Sequence, residues 1–399
     1  MDEAPLFQVL DSNADCVGYF ANNMINPRSP LPRIGKTWDY SSHLTGDGYE
    51  IARIYSNGAT LTEMCPENLQ EEWEAIKQRV RACLRAFEKA QLSLQHNCFY
   101  DVVPEYFLFQ FLSAKNSITQ HVLNTIRRPE NYKQMYQLLE MLTAIRERSL
   151  NIDVRPIQHL LGSVRGKNFI KTLQTVRPTC DYNPWGTITG RLATQPHTFP
   201  ILTMNKEFRQ CIRPHNDWLL ELDFNAAELR TLLALAGKSQ PTNDIHAWNA
   251  QNVFGGNLSR EKAKTKTFAW LYSDRPHAAL EEMYNKEVVR EKYWDGSTIK
   301  TEYGRIIENV DEHHALNYII QSTTIDMVHE QAYKVYQALR GRKSYISFLI
   351  HDAVYIDLAE EDRYEILNLL DTFKKTRYDI FKVNVAAGKN LGDLKDLKL

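Results

Sequence analysis

The run Trp218-Leu219-Leu220-Glu221-Leu222-Asp223-Phe224 is strand-length, mostly apolar and ends at an acid. It reads as a strand buried in a sheet, and a helix follows it to Gly237. Two more strands, Tyr345–Ile350 and Val354–Leu358, are joined by the tight turn His351-Asp352-Ala353. An aspartate therefore stands at the end of the first strand and at the tip of the hairpin. Two carboxylates brought close together repel each other unless a cation lies between them, so such a pair usually means metal. Magnesium suits it, as a hard ion held by few carboxylates plus substrate phosphates. Two such ions can activate an attacking hydroxyl and neutralise a leaving oxygen in phosphoryl transfer. Strand-end aspartates are also common turn residues, and the pair alone leaves both readings open.

The rest of the chain narrows the setting. Its 399 residues, 43% of them hydrophobic, can bury a sizeable core in two or three subdomains. The formal charge of −1 is silent on nucleic acid, because binding responds to local charge. The six cysteines are scattered, without a CxxC pair, which fits a reducing cytosol and no disulfide framework. No signal peptide is expected from Met-Asp-Glu-Ala-Pro, and no run of about 18 apolar residues suggests a membrane span.

Residues 1 to 62 read as short strands, with a hairpin over Tyr49–Leu61 turning at Ser56-Asn57-Gly58. From Pro66 the period becomes helical: Trp73, Ile76, Val80, Cys83 or Leu84, and Phe87 form one stripe. Further helices are expected at 104–126, 130–149 and 360–378, with a short closing strand, Phe381–Val385.

Residues 259–272 read as a helix on which Arg260, Lys264, Phe268 and Tyr272 stand four apart. Four residues turn a helix by about 400°, so they form one slowly winding stripe. Basic at its start and aromatic at its end, the stripe can hold a triphosphate and then stack a sugar or base; a solvated basic face is the plainer alternative. Upstream, Asp244-Ile245-His246 offers a further phosphate donor. A small polar loop, Thr187-Ile188-Thr189-Gly190-Arg191-Leu192-Ala193-Thr194, surrounds a single arginine.

In this order these pieces resemble the family A DNA polymerases, the family of bacterial DNA polymerase I. Asp223-Phe224-Asn225-Ala226-Ala227-Glu228-Leu229-Arg230 is similar to the family's first signature, the Arg260/Lys264/Phe268/Tyr272 helix to its second, and His351-Asp352 to its third. The Thr-Gly-Arg-Leu loop precedes the first, and Gly388-Lys389-Asn390-Leu391-Gly392-Asp393-Leu394 looks like the family's tail. The match covers roughly residues 160–399.

The resemblance implies an α+β right hand with an antiparallel palm sheet, helical fingers and a helical thumb. It divides the chain into a small N-terminal module (1–65), a helical lead-in and thumb (66–184), palm (185–235), fingers (236–314) and palm again (315–399). It implies template-directed DNA synthesis on a primer 3′-hydroxyl, with Asp223, Asp352 and the Phe224 carbonyl binding two Mg2+ ions, for which Mn2+ can substitute. Lys264 would neutralise the departing pyrophosphate while Arg260 and His246 hold the outer phosphates. Arg191, Asn317 and Gln321 would read minor-groove acceptors, which sit alike in every correct pair; His351 is assigned to the DNA side as well. Tyr272 would stack near the templating base, Phe268 would pack on the nucleotide sugar, and Glu228 would fill the space a 2′-hydroxyl needs. The partners implied are primer-template DNA and dNTPs, with no membrane, in the cytoplasm of a bacterial or phage-infected cell.

The chain also departs from the family. Ala353 stands where Glu is usual, and Asp357, further along the strand, is read as a solvated strand residue rather than a substitute. Ser273 stands where glycine is usual, and the span between Tyr272 and Asn317 is short, so the fingers look trimmed. Asp11-Ser12-Asn13 lacks the second acid of a 3′–5′ exonuclease, and the N-terminal stretch is too short for that fold. Proofreading is expected to be absent, or supplied by a separate exonuclease among other replication proteins. Small size suggests a phage or mobile-element enzyme. Two rival readings are a polymerase fold kept as a primer-template clamp, motivated by Ala353, and a single-subunit RNA polymerase, which Glu228 opposes.

Overall fold

The computed structural model describes residues 4–12, 15–27, 30–94, 96–272 and 276–398; Asn13 and Ser273 lie outside them. The chain divides into two compact units, Met1–Glu147 and Arg148–Leu399.

In the first unit, strands Phe7–Ser12, Asp15–Ala21 and Met24–Pro27 form an antiparallel sheet. Asn22 and Asn23, at φ of 51° and 55°, make the link between the last two, since asparagine tolerates the left-handed region that two-residue hairpins need. Strands Gly35–Thr37 and Tyr49–Ile51 pair in parallel, and a parallel bridge joins Leu6 to Lys36. Phe7, Phe20, Ile51 and Ile54 share one core with Trp73 and Ile76 of helix Gln70–Lys89, Phe107 and Leu112 of helix Glu105–Thr125, and Tyr136 of helix Tyr132–Arg146. The first 65 residues thus pack with the helices that follow them.

The expected hairpin over Tyr49–Leu61 does not form. Ala52–Tyr55 is one helical turn with Ala52, Ile54 and Tyr55 buried. Asn57 and Gly58, at φ of 52° and 82°, close it, and the Gly58 N–H donates to the Arg53 carbonyl at 2.9 Å. Asn-Gly serves a helix stop as well as a hairpin turn, and burial of Ile54 decides between them.

The second unit is built on a five-stranded sheet in the order Tyr345–Ile350, Ala353–Leu358, Trp218–Phe224, Val383–Gly388, Lys395–Asp396, with every neighbour antiparallel. The Trp218–Phe224 strand is central, with Leu219, Leu220, Leu222 and Phe224 buried. Helices Ala227–Leu235, Arg260–Leu271, Ala278–Tyr284 and Lys286–Tyr293 meet the 27-residue helix Glu312–Ala338 around a second core that includes Leu232, Trp270, Tyr284, Val289 and Ile319. The class is α+β. Near the end, a 3-10 stretch Glu360–Glu365 precedes helix Ile366–Lys374, so the helix stops short of 378. The closing strand is Val383–Gly388, starting two residues and ending three residues later than expected. Among the described residues no helix is long and apolar enough to cross a membrane.

Asp357 is not solvated. All six residues of Ala353–Leu358 are buried, so its carboxylate must find partners inside. It accepts from the backbone N–H of His215 (2.6 Å) and Asn216 (2.9 Å) and from the Tyr345 hydroxyl (3.0 Å). Its register partner is Leu219, at the far end of the strand from Asp223. Truncation strands two N–H donors, at about 1–3 kcal/mol for each buried group left unpaired. Asp357→Ala should therefore lower Tm by roughly 5–10 °C, as thermal unfolding followed by circular dichroism would show.

Candidate active site

Sheet register brings the two aspartates together. Asp223 pairs with Ala353 on one side and Asn384 on the other, and Asp352 is the residue just before Ala353. The turn is only His351-Asp352, with His351 at φ of 53°. Asn384 Nδ2 donates to Asp223 Oδ2 at 3.4 Å. Burial, then the like charges of Asp352 and Glu221, push the Asp223 carboxyl up to about 7. Asp352 is also raised, chiefly by burial. Glu221 accepts from the Tyr355 hydroxyl.

Asp223, Asp352 and Glu221 thus concentrate negative charge at this end of the sheet. Among the described residues no group of three or more His, Cys, Asp or Glu is arranged to hold a metal. Two carboxylates suffice for an ion that completes its shell with water and phosphate, so the pair fits magnesium. The raised acid has a stability consequence. Between about pH 4 and pH 7 the folded chain holds a proton that the unfolded chain releases, so this group's contribution is present below pH 4 and lost by pH 7. Without metal at pH 8, Asp223→Asn should melt about 4–8 °C above wild type, for about 2 kcal/mol of relieved desolvation and repulsion. The gap should close as pH falls toward 4, a trend that melting curves across pH would follow.

The turn after Asp223 is held from beneath. Arg230 is fully buried and donates to the carbonyls of Asn225 (2.8 Å), Pro241 (2.7 Å) and Asn243 (2.7 Å) and to Asn225 Oδ1 (3.1 Å). Burial lowers its pKa to about 10, which leaves it charged. Ala226, at φ of 50°, begins the Ala227–Leu235 helix, whose first turn carries Glu228. Glu228 accepts from Arg191 Nη2 at 2.6 Å and from the Tyr272 hydroxyl. Burial raises its pKa, opposed by Arg191 and reinforced by Asp352.

On helix Arg260–Leu271, Ser259 caps the start and Lys264 is exposed. Arg260 bonds Asp244 through two nitrogens. Phe268 is half-buried, with its ring 5.5 Å from His246 and stacked 6.1 Å from Tyr272. His246 itself is buried, and desolvation drives its pKa down to about 4. At neutral pH it is an uncharged ring packed on Phe268.

Gly190 explains the arginine loop. It lies at φ of 83°, and a Cβ there would collide with the Arg305 guanidinium. Arg305 is in turn held by Asp326 through bonds of 2.9 and 2.5 Å. Thr189 Oγ1 donates to Gln321 Oε1 at 3.1 Å, and Gln321 Nε2 donates to Asn317 Oδ1 at 3.3 Å.

A cleft of about 180 Å³ is lined by Arg191, Glu228, Phe268, Gln321, His351 and Asp352, together with Ala226, Ala227, Thr324 and Ile325. Six residues singled out from the sequence, from five separate stretches, thus share one cavity. Tyr272 and Asn317 line a second cavity of about 620 Å³ with Arg290, Glu312, His313 and His314. Arg260, Lys264, His246 and Asp223 line neither, although Asp223 adjoins the first through Ala353. Sequence reading gave no role to Asn225, Arg230 or Asp244 themselves, although all three stand inside quoted stretches, and it passed over Arg305, Asp326 and Asn384.

No protein-family model matches the chain, and no curated protein matches it. Among solved structures it is similar to the POL domain of Pol1 from M. smegmatis, in a complex with DNA primer-template and dNTP. The TM-score is 0.64 at 13% identity, over 98% of this chain and 96% of that one. At that identity the likeness is one of fold: the chain has the fold of a polymerase domain.

Proposed function

We propose that the chain acts as a family A DNA polymerase, adding dNMP to a primer 3′-hydroxyl with release of pyrophosphate. The observation that carries this reading is the cleft itself, where the Thr-Gly-Arg loop, the Glu-Leu-Arg helix, the Phe268 helix and the His-Asp turn converge within a polymerase-domain fold. Residues 185–235 and 315–399 would be the palm, 236–314 the fingers, and 66–184 the lead-in and thumb. The enzyme would work in the cytoplasm of a bacterial or phage-infected cell.

Asp223 and Asp352, with the Phe224 carbonyl, would hold two magnesium ions. When bound, the ions supply activation of the attacking hydroxyl and neutralisation of charge on the departing pyrophosphate. The remaining work falls to side chains. Arg260 and Lys264 meet the phosphates, and Lys264 can give a proton to the leaving group. Phe268 packs on the sugar, while Tyr272 stacks near the templating base. Arg191, Gln321 and Asn317, already linked to Glu228 or to each other, test the shape of the primer-end pair, with His351 beside them. His246, buried and neutral, can contribute a hydrogen bond to a phosphate but no charge.

One feature favours deoxyribonucleotides over ribonucleotides. Glu228 lines the cleft between Arg191 and Tyr272, where it can exclude a 2′-hydroxyl. Glu228→Ala should raise ribonucleotide use relative to deoxyribonucleotide by about 10- to 100-fold in kcat/KM, the scale expected when steric exclusion worth about 1–3 kcal/mol is lost. Unchanged discrimination would assign Glu228 only to holding Arg191 and Tyr272.

The function is tested by purified protein, a primed template, magnesium and dNTPs. Extension that copies the template, without shortening of a mismatched primer, is expected. Binding without extension in magnesium and manganese alike would favour a clamp.

A further inference from the structure

Arg260 opens the basic stripe, yet its guanidinium is already engaged. Nε donates to Asp244 Oδ1 at 3.0 Å and Nη2 to Asp244 Oδ2 at 2.8 Å, while Nη1 donates to Glu261 Oε1 at 2.5 Å. The two carboxylates are not equivalent. The Glu261 side chain is 73% exposed, and such surface pairs are worth little. The Asp244 side chain is 23% exposed and gripped from its other side, by the Ala247 N–H at 2.8 Å and by Asn225 Nδ2 at 2.9 Å.

Asn225 is fixed as well. Its Oδ1 accepts from the Ile245 N–H at 3.1 Å and from buried Arg230 at 3.1 Å. It stands two residues after Asp223. A continuous run of hydrogen bonds therefore leads from the end of the Asp223 strand through Asn225 and Asp244 to Arg260. Burial opposes charge on Asp244, but the bonds from Arg260, Ala247 and Asn225 outweigh it and hold the carboxyl well below its ordinary range.

We propose that Asp244 is a positioning residue for the incoming triphosphate. It fixes the Nε–Nη2 edge of Arg260, so that the Nη1 edge, whose other partner is the exposed Glu261, is presented to the outer phosphates. This rests on the reading that the stripe binds a triphosphate. A planar guanidinium fits the task because its fork can satisfy a carboxylate on one edge and a phosphate on another. A side chain already held in one rotamer loses less freedom when the ligand arrives. The same bonds tie the phosphate grip to the strand that carries the first aspartate. Loss of the carboxylate should then weaken nucleotide capture more than it slows the chemical step.

The test is single-nucleotide insertion by wild type, Asp244→Asn, Arg260→Ala and the double variant, with Tm measured for each. Asparagine keeps the size of the side chain and is itself a good cap for helix Ile245–Asn252, so the fold is preserved. Asp244→Asn should raise KM for dNTP by about 10-fold with kcat within about twofold, as expected when ground-state binding is lost. Arg260→Ala should raise KM at least as much, and the double variant should be no worse than Arg260→Ala alone. The proposal is overturned if Asp244→Asn leaves KM within about twofold of wild type, if the two effects multiply in the double variant, or if kcat and Tm fall together while KM holds. An Arg260→Ala variant with wild-type KM would overturn it differently, by removing the triphosphate reading on which it stands.

Discussion

Asp223→Asn and Asp352→Asn should each slow primer extension by about a thousandfold or more while leaving primer-template affinity within a few fold. The expectation follows from the electrostatics of the pair. Burial raises both carboxyls, and the charges of Asp352 and Glu221 add to the rise of Asp223 to about 7, a cost that a divalent cation would relieve. If the pair holds the proposed metal ions, each variant removes part of a contribution worth several kcal/mol, and about 4 kcal/mol is a thousandfold in rate. DNA affinity should persist because it rests mainly on phosphate contacts spread over the protein. The two variants should also melt at least as high as wild type without metal, so lost activity could not be ascribed to unfolding. Extension rates and filter-binding affinities for the three proteins decide the matter. Rates within tenfold of wild type in both variants would remove the aspartates from the chemistry.

The second large effect concerns Phe268. Its ring lines the cleft that holds Asp352 and Glu228, and it is braced by His246 and Tyr272. A deoxynucleotide carries a 3′-hydroxyl that can bond its own phosphate oxygen, and a dideoxynucleotide does not. Phenylalanine offers nothing in place of the missing group, so wild type should discriminate strongly against dideoxynucleotides. Tyrosine at this position adds a phenolic donor. A hydrogen bond to a charged acceptor contributes roughly 1.5–3 kcal/mol, which is one to two orders of magnitude in selectivity. Phe268→Tyr should therefore remove most of the discrimination, read as the ratio of kcat/KM for deoxy and dideoxy substrates. A ratio untouched by the substitution would place Phe268 away from the sugar.

The elements that reading the residues recovered were those whose burial leaves a long apolar signature. The strand to Phe224, the His351-Asp352 hairpin and the helix around Trp73 are visible because one face, or both, must be apolar. Polar residues inside the fold carry no such pattern. Asp357 looked solvated because a lone acid in a strand usually is, whereas here two N–H groups and a hydroxyl make it a buried anchor. Asn57-Gly58 satisfies two kinds of turn equally, and only the burial of Ile54 selects the helix stop. His246 was expected as a phosphate donor, and the desolvation that keeps its ring neutral, so that it can offer a hydrogen bond but no charge, is set by packing and not by spacing. The supports of the site, from Asn225 and Asp244 to Arg305 and Asp326, depend on partners 19 to 21 residues away, which no local spacing reveals.

The central claim is that the cleft formed by Arg191, Glu228, Phe268, Gln321, His351 and Asp352 selects a nucleotide against a template and joins it to a primer. Single-nucleotide incorporation addresses it most directly, with four templates that differ only in the next base, each offered all four dNTPs singly in magnesium. Wild type should add the complementary dNMP on every template at least about 100-fold faster than the other three, and Asp352→Asn should add none at a comparable rate. Incorporation that ignores the template base, or that survives unchanged in Asp352→Asn, would contradict the account.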